Sequence, residues 1–198
     1  MPILITAFGP FGGRAENASS LALRDLRKSH PEIRTRILPV DAVLAPARLR
    51  QAIRHIRPSA VIMLGESAQS TGIQLETTAW NSKDFSIPDI AGRKPKGVPV
   101  KGGAAESLAS TLPLKEMHSA LNAGGHPVAL SNDPGRYLCN QLFFAAMNYL
   151  ETNGISIPAG FIHLPLENHF PTSRAAAAIG AVIRVCEATA ARAKDLDI

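Results

Sequence analysis

The sequence predicts an α/β protein, a three-layer α/β/α fold with a twisted, mostly parallel central sheet, in a single domain over residues 1–198. Three observations carry this expectation. Strand-like apolar runs alternate with helix-patterned segments along the whole chain, and that order gives parallel strands covered on both faces. One run, Ala60-Val61-Ile62-Met63-Leu64-Gly65, is apolar throughout, as in a strand with both faces buried. A length of 198 residues suits one domain with its own core.

Each element has a local reason. Ile3-Leu4-Ile5-Thr6 reads as a strand and leads into the loop Phe8-Gly9-Pro10-Phe11-Gly12-Gly13. Asn17 or Ser19 can cap the next helix, whose apolar stripe holds Leu21, Leu23 and Leu26. Residues 34–40 read as a second strand. Residues 45–57 read as a helix with Leu49, Ile53 and Ile56 on one face, and Pro58 ends it. After the run at 60–65, β-branched and aromatic residues predict another strand over 72–80. Residues 81–103, rich in Gly, Pro and Lys, form the longest irregular stretch. A helix over 114–123 closes at Gly124-Gly125. A strand follows at 128–131. Leu142, Phe143, Met147 and Leu150 mark a helix that stops near Asn153-Gly154. A last strand at 159–164 precedes an Ala-rich helix from 173 to about 193.

Composition narrows the function. Hydrophobic residues make up 45% of the chain and charged residues 19%, which excludes disorder. The net charge of +5 permits nucleic-acid binding, but the basic residues are scattered. Their densest group, Arg93-Lys94-Pro95-Lys96 with Lys101, lies in the irregular stretch without interleaved aromatics and reads as solvated. No nucleic-acid partner is expected. Two cysteines with no C-x-x-C pair make neither a disulfide scaffold nor a zinc knuckle. The N-terminus lacks a charged leader, and no apolar run approaches the ~18 residues of a membrane span. The expected setting is the cytoplasm, where thiols stay reduced.

The chemistry points to a cysteine hydrolase. A turn-forming run, Ser131-Asn132-Asp133-Pro134-Gly135-Arg136, delivers Cys139 to the first residues of an apolar helix. Helix N-termini favour negative charge, and a thiol there can become a nucleophilic thiolate. Backbone N–H groups at the same helix start could hold an oxyanion. Cys186, between Val185 and Glu187, fits an inert buried thiol. His163, in Gly160-Phe161-Ile162-His163-Leu164-Pro165, lies 24 residues after Cys139, about one helix and a return strand, and could serve as its base. His169 is a secondary candidate. Glu76 could orient the imidazole, with Asp84 and Asp89 as competitors. Phe8 and Phe11 are either core plugs or walls of a pocket.

These segments together resemble the pyroglutamyl peptidase I family of cysteine peptidases. Ile5-Thr6-Ala7-Phe8-Gly9-Pro10-Phe11-Gly12-Gly13 with Asn17-Ala18-Ser19, Leu75-Glu76-Thr77-Thr78-Ala79-Trp80-Asn81, Tyr137-Leu138-Cys139-Asn140 and Phe161-Ile162-His163-Leu164-Pro165 are similar to four of its motifs, in order. The resemblance implies a nucleophile at Cys139, a base and acid at His163 and an orienting carboxylate at Glu76. It implies substrate contacts from Phe8, Phe11, Asn17 and Leu138. It also implies peptide substrates that begin with pyroglutamate, no metal or cofactor, and a homo-oligomer, tetramer or dimer.

The chain departs from the family pattern at Ala7, at Ser86 where an Arg is expected, at Ile90, and in the loop from Glu66 to Gly72. Arg93 and Arg136 are candidates to replace the missing cation. Two other readings stay open: the same machinery acting on another cyclic amide or acyl-amine, and a non-catalytic binding protein on this scaffold.

Overall fold

A computed structural model describes residues 1–196; the last two residues of the expected domain lie outside the described residues. The order is β1 (Ile3–Phe8), α1 (Ala18–Ser29), β2 (Arg34–Leu38), α2 (Leu44–Ile56), β3 (Ala60–Ser67), β4 (Ile73–Glu76), β5 (Thr78–Trp80), β6 (Ser107–Ala109), α3 (Leu114–Ala123), β7 (Val128–Ser131), α4 (Leu138–Thr152), β8 (Ala159–Pro165) and α5 (Thr172–Leu196). Six strands form one sheet in the order β2-β1-β3-β8-β4-β7, and β5 pairs with β6 in a small second sheet.

Side-chain alternation along the strands sorts the core into two layers. Ile3, Ile5 and Ala7 of β1, Ala60, Ile62 and Leu64 of β3, and Ile162 and Leu164 of β8 pack with α1, α3 and α5. Leu4 and Phe8, Val61 and Met63, and Ala159 and Phe161 face the other way, toward α2 and α4. Each fully buried Leu, Ile or Phe contributes about 1.5–3 kcal/mol of transfer free energy. By the same alternation, Gly65, His163 and Glu76 all project to the α4 side of the sheet.

The main sheet is mostly parallel, as expected, with one reversed seam. β2, β1, β3 and β8 are parallel, whereas β4 runs antiparallel to β8 and carries β7 with it. The cause is the short link between β3 and β4. A parallel return needs a crossover of about a dozen residues or more, and residues 68–72 can only reverse the chain.

The strand expected over 72–80 is broken at Thr77. Its N–H and its hydroxyl both donate to the Ser131 carbonyl, at 2.7 and 3.0 Å. The backbone then leaves the main sheet, and Thr78–Trp80 pairs with Ser107–Ala109. The long stretch over 81–103 is irregular as expected but firmly tied. Asn81 accepts the Lys101 N–H at 2.9 Å and donates to the Lys101 carbonyl at 2.9 Å. Farther along, buried Asp89 accepts backbone N–H groups from Ala42, Ala91 and Arg93. The Arg93 guanidinium bridges Asp89 and Asp41 at 3.1 and 3.0 Å. Asp41 in turn accepts the N–H groups of Val43 and Leu44 at the start of α2. Among the described residues, no helix is long and apolar enough to cross a membrane.

Candidate active site

Cys139 is the second residue of α4, and Tyr137 caps that helix in an extended conformation without a side-chain bond. The first helical bond at this end runs from the Gln141 N–H to the Tyr137 carbonyl, at 3.0 Å. Among the described residues, the N–H groups of Leu138, Cys139 and Asn140 have no protein acceptor, as at any uncapped helix start. They give this end of α4 partial positive charge. Cys139 is half-buried.

His163 lies on β8 beside Gly65 of β3 in the parallel register. Its ring Nδ1 is 2.7 Å from Glu76 Oε1, and both side chains are buried. An ionised carboxylate only accepts, so Nδ1 carries the proton of this bond and Nε2 is the remaining ring nitrogen. Burial disfavours a charged imidazole. The negative charge and hydrogen bond of Cys139, then the hydrogen bond and charge of Glu76, outweigh burial and push the His163 pKa up to about 10. The three candidate catalytic residues thus meet, from α4, β8 and β4. Glu76 Oε2 is buried without a hydrogen-bond partner among the described residues.

The competing candidates turn elsewhere. Asp89 is engaged with Ala42, Ala91 and Arg93. Asp84 pairs with Lys96 at 2.6 Å. His169 is exposed. Cys186 is buried on α5, and burial, aided by the charge of Glu187, pushes its thiol up to about 12.

The expected substrate contacts divide into two kinds. Phe11 is half-buried and its ring lies 5.6 Å from that of Tyr137, which in turn packs edge-on to Phe85 at 4.6 Å. Phe11 and Tyr137 therefore offer apolar surface beside Cys139. Phe8 is 4% exposed and sits in the core layer with α2 and α4, so its larger share is packing. Leu138 is likewise buried. Asn17 caps α1: its Oδ1 accepts the Ser19 N–H at 3.0 Å and the Ser19 hydroxyl at 2.6 Å. Asn17 is itself buried, and these bonds give it a capping role.

Neither candidate replacement cation is free. Arg93 is held by Asp41 and Asp89. Arg136 pairs with Asp133 at 2.5 Å and stacks over the Trp80 ring at 5.1 Å. Ser86 is exposed.

Several residues at the site escaped sequence reasoning. Glu66, which follows Gly65, accepts the first N–H of α1 from Ala18 at 2.9 Å and pairs with Arg14 of the Phe11 loop. Asn140 is fully buried beside Cys139. It donates to the carbonyls of Trp80 and Ser82 and accepts the Trp80 N–H, at 2.9, 2.8 and 2.8 Å. The signal for Asn140 and Tyr137 was their adjacency to Cys139. Gly65 and Phe85 gave none, because their role comes from packing between distant segments.

Comparison with known proteins agrees with this geometry. A family model described as pyroglutamyl peptidase matches residues 1–183. The chain is 34% identical over 167 residues to pyrrolidone-carboxylate peptidase 1 of Caldanaerobacter subterraneus, spanning 83% of this chain and 82% of the relative. It is 34% identical to pyrrolidone-carboxylate peptidase of Streptococcus pyogenes, spanning 83% and 78%. Among solved structures, a mutant pyrrolidone carboxyl peptidase from the hyperthermophile Pyrococcus furiosus superposes with a TM-score of 0.89 at 28% identity, covering 96% of this chain and 99% of that one. Pyroglutamyl peptidase I from Bacillus amyloliquefaciens gives 0.88 at 27% identity, covering 93% and 94%. With its motifs, its sheet order and nearly its whole length accounted for, this chain belongs to the pyroglutamyl peptidase family.

Proposed function

We propose that the chain is a cysteine peptidase that removes N-terminal pyroglutamyl residues from peptides, with Cys139 as nucleophile, His163 as base and acid, and Glu76 as the group that orients the ring. The reading rests above all on the buried 2.7 Å bond between Glu76 and His163, on a ring whose proton is also held by the charge of Cys139.

The chemistry follows from that arrangement. His163 takes the thiol proton, and the Cys139 sulfur attacks the carbonyl carbon of the pyroglutamyl–X bond. The resulting oxyanion lies near the unclaimed N–H groups at the start of α4. His163 returns the proton to the leaving amine, and the C–N bond breaks to leave a thioester. Water then loses a proton to His163 and attacks the thioester. The C–S bond breaks, pyroglutamate leaves and the thiol is restored. Glu76 stabilises the imidazolium in both halves. Phe11 and Tyr137 suit a flat, uncharged lactam, which offers apolar faces and amide edges and no ammonium group.

Turnover of a fluorogenic pyroglutamyl amide tests the assignment. It is expected to vanish in Cys139→Ser and to fall by about 10²–10⁴-fold in His163→Ala. Normal turnover in Cys139→Ser would refute the nucleophile.

A second reading keeps the machinery and changes the substrate. Its support is that Arg93 and Arg136 are already paired while Ser86 is exposed, so no cation from these positions faces the ligand. A reactive Cys139 without pyroglutamyl turnover, combined with hydrolysis of another cyclic amide, would select it. We propose a cytoplasmic setting, with which two free thiols agree, and a dimer or tetramer from the family resemblance; light scattering tests the second.

A further inference from the structure

We propose that Gly65 is a positioning residue for the nucleophile: the missing side chain at this position is the seat that holds the Cys139 sulfur beside His163. A Cβ placed on Gly65 would lie 2.9 Å from Cys139 Sγ. It would also lie 2.8 and 2.9 Å from Cζ and Cε1 of the Phe161 ring. Relaxed contacts between heavy atoms fall near 3.5–4.0 Å, so both neighbours would have to move by several tenths of an ångström. Neither has an easy escape. Phe161 is fully buried, packed between Phe143 and the His163 ring, with centroids at 6.1 and 4.9 Å. Cys139 is fixed at the start of α4, where Asn140 clamps the helix to Trp80 and Ser82.

The strand register explains why this glycine matters to the chemistry. Gly65 is the β3 partner of His163, and both project to the α4 side. The sulfur therefore rests over the backbone of β3, on the face of the sheet from which the imidazole of β8 projects. A methyl group at 65 fills that seat. It would lift the sulfur away from the ring that takes its proton in the proposed mechanism, while leaving the Phe11 and Tyr137 surface in place. The expected signature is a loss in kcat with little change in KM.

The proposal rests on the thiol–imidazole reading of the site, and thiol alkylation tests it without any assumption about substrate. In the unaltered protein, iodoacetamide is expected to alkylate Cys139 rapidly even at pH 6. In Gly65→Ala, the rate at pH 6 is expected to fall by about 10–100-fold, the range expected for lost acid–base assistance. At pH 10 it should stay within about threefold, because any accessible thiol is ionised there.

Gly65→Ala also crowds Phe161, so the double variant Gly65→Ala/Phe161→Leu separates the two contacts. It is expected to recover thermal stability and not the reactivity at pH 6. Stability gives a second measure, usable even if activity is lost: Gly65→Ala should cost less in a Cys139→Ala background, since the sulfur it displaces is gone. An unchanged alkylation profile in Gly65→Ala overturns the proposal, as does full recovery at pH 6 in the double variant. If the unaltered thiol is reactive at pH 6 but pyroglutamyl amides are not cleaved, the substrate assignment fails and the role of Gly65 stands.

Discussion

Glu76 and His163 bond across an antiparallel strand pair even though they are not register partners. Gln74 stands opposite His163, and Glu76 stands opposite Phe161. The two reach each other diagonally on the same face of the sheet, a separation that long side chains can span. The carboxylate thus meets the imidazole at its edge and leaves the Cys139 side of the ring open.

Replacing Glu76 with Gln keeps a hydrogen-bond acceptor and removes the charge. We expect kcat/KM for a pyroglutamyl amide to fall by roughly 10²–10⁴-fold. On the proposed mechanism the alkaline limb of the rate profile follows loss of the imidazolium proton, whose pKa is pushed up to about 10, and in the variant it should move to lower pH. A pH series on both proteins checks the shift and its direction.

The same group links stability to pH. The His163 pKa is raised from its ordinary 6.5 to about 10. Its contribution to stability is therefore fully present below about pH 6.5 and is lost as pH rises toward 10. Thermal midpoints are expected to decline across that window. In His163→Gln the decline should be shallower.

Asp89 gives the opposite sign. Burial opposes its ionisation, but the N–H groups of Ala42, Arg93 and Ala91 and the Arg93 guanidinium hold its pKa below the usual 3.8. Its contribution is present above that value and is lost as pH falls through the lower folded pKa. Asp89→Asn should be less stable at neutral pH and lose less on acidification. Acid titration followed by circular dichroism would show both.

Asn140 makes three buried hydrogen bonds to the Trp80–Ser82 backbone. Asn140→Ala leaves those groups without partners and should cost about 3 kcal/mol. In a domain of this size that is a drop of roughly 6–12 °C in the melting midpoint. Turnover measured well below the midpoint should also fall, because the clamp fixes the start of α4.

Glu66 ties the Phe11 loop to the end of β3 through Arg14 and caps α1 through Ala18. Glu66→Gln should raise KM by about 3–10-fold, with a smaller change in kcat, because in the proposed site the loop would wall the ligand and leave the sulfur of Cys139 to the reaction. High salt should raise KM in the unaltered enzyme and less so in the variant, since the ion pair is partly exposed.

Much of this was legible in the sequence for identifiable reasons. The apolar run at 60–65 and the stripe of Leu49, Ile53 and Ile56 are periodic signals that survive without context. Cys139 and His163 stood out because a reactive group followed a turn or interrupted an apolar strand. The reversal of β4 was not legible, since Gln74-Leu75-Glu76 reads the same in either direction. β6 offered three residues and no pattern. The role of Arg93 was misread because its charge looked free, while Asp41 and Asp89 lie far apart from each other in sequence and meet only in the fold. Tyr137 and Phe85 acquire their part from a contact across about 50 positions, and no local periodicity encodes that.

The reversed strand β4 has one more consequence. Sliding it by a single residue against β8 would send Glu76 into the layer beneath α5 and bring a greasy neighbour to the imidazole. Turnover therefore doubles as a gauge of sheet alignment: loosening this one seam silences the enzyme before the rest of the molecule has come apart.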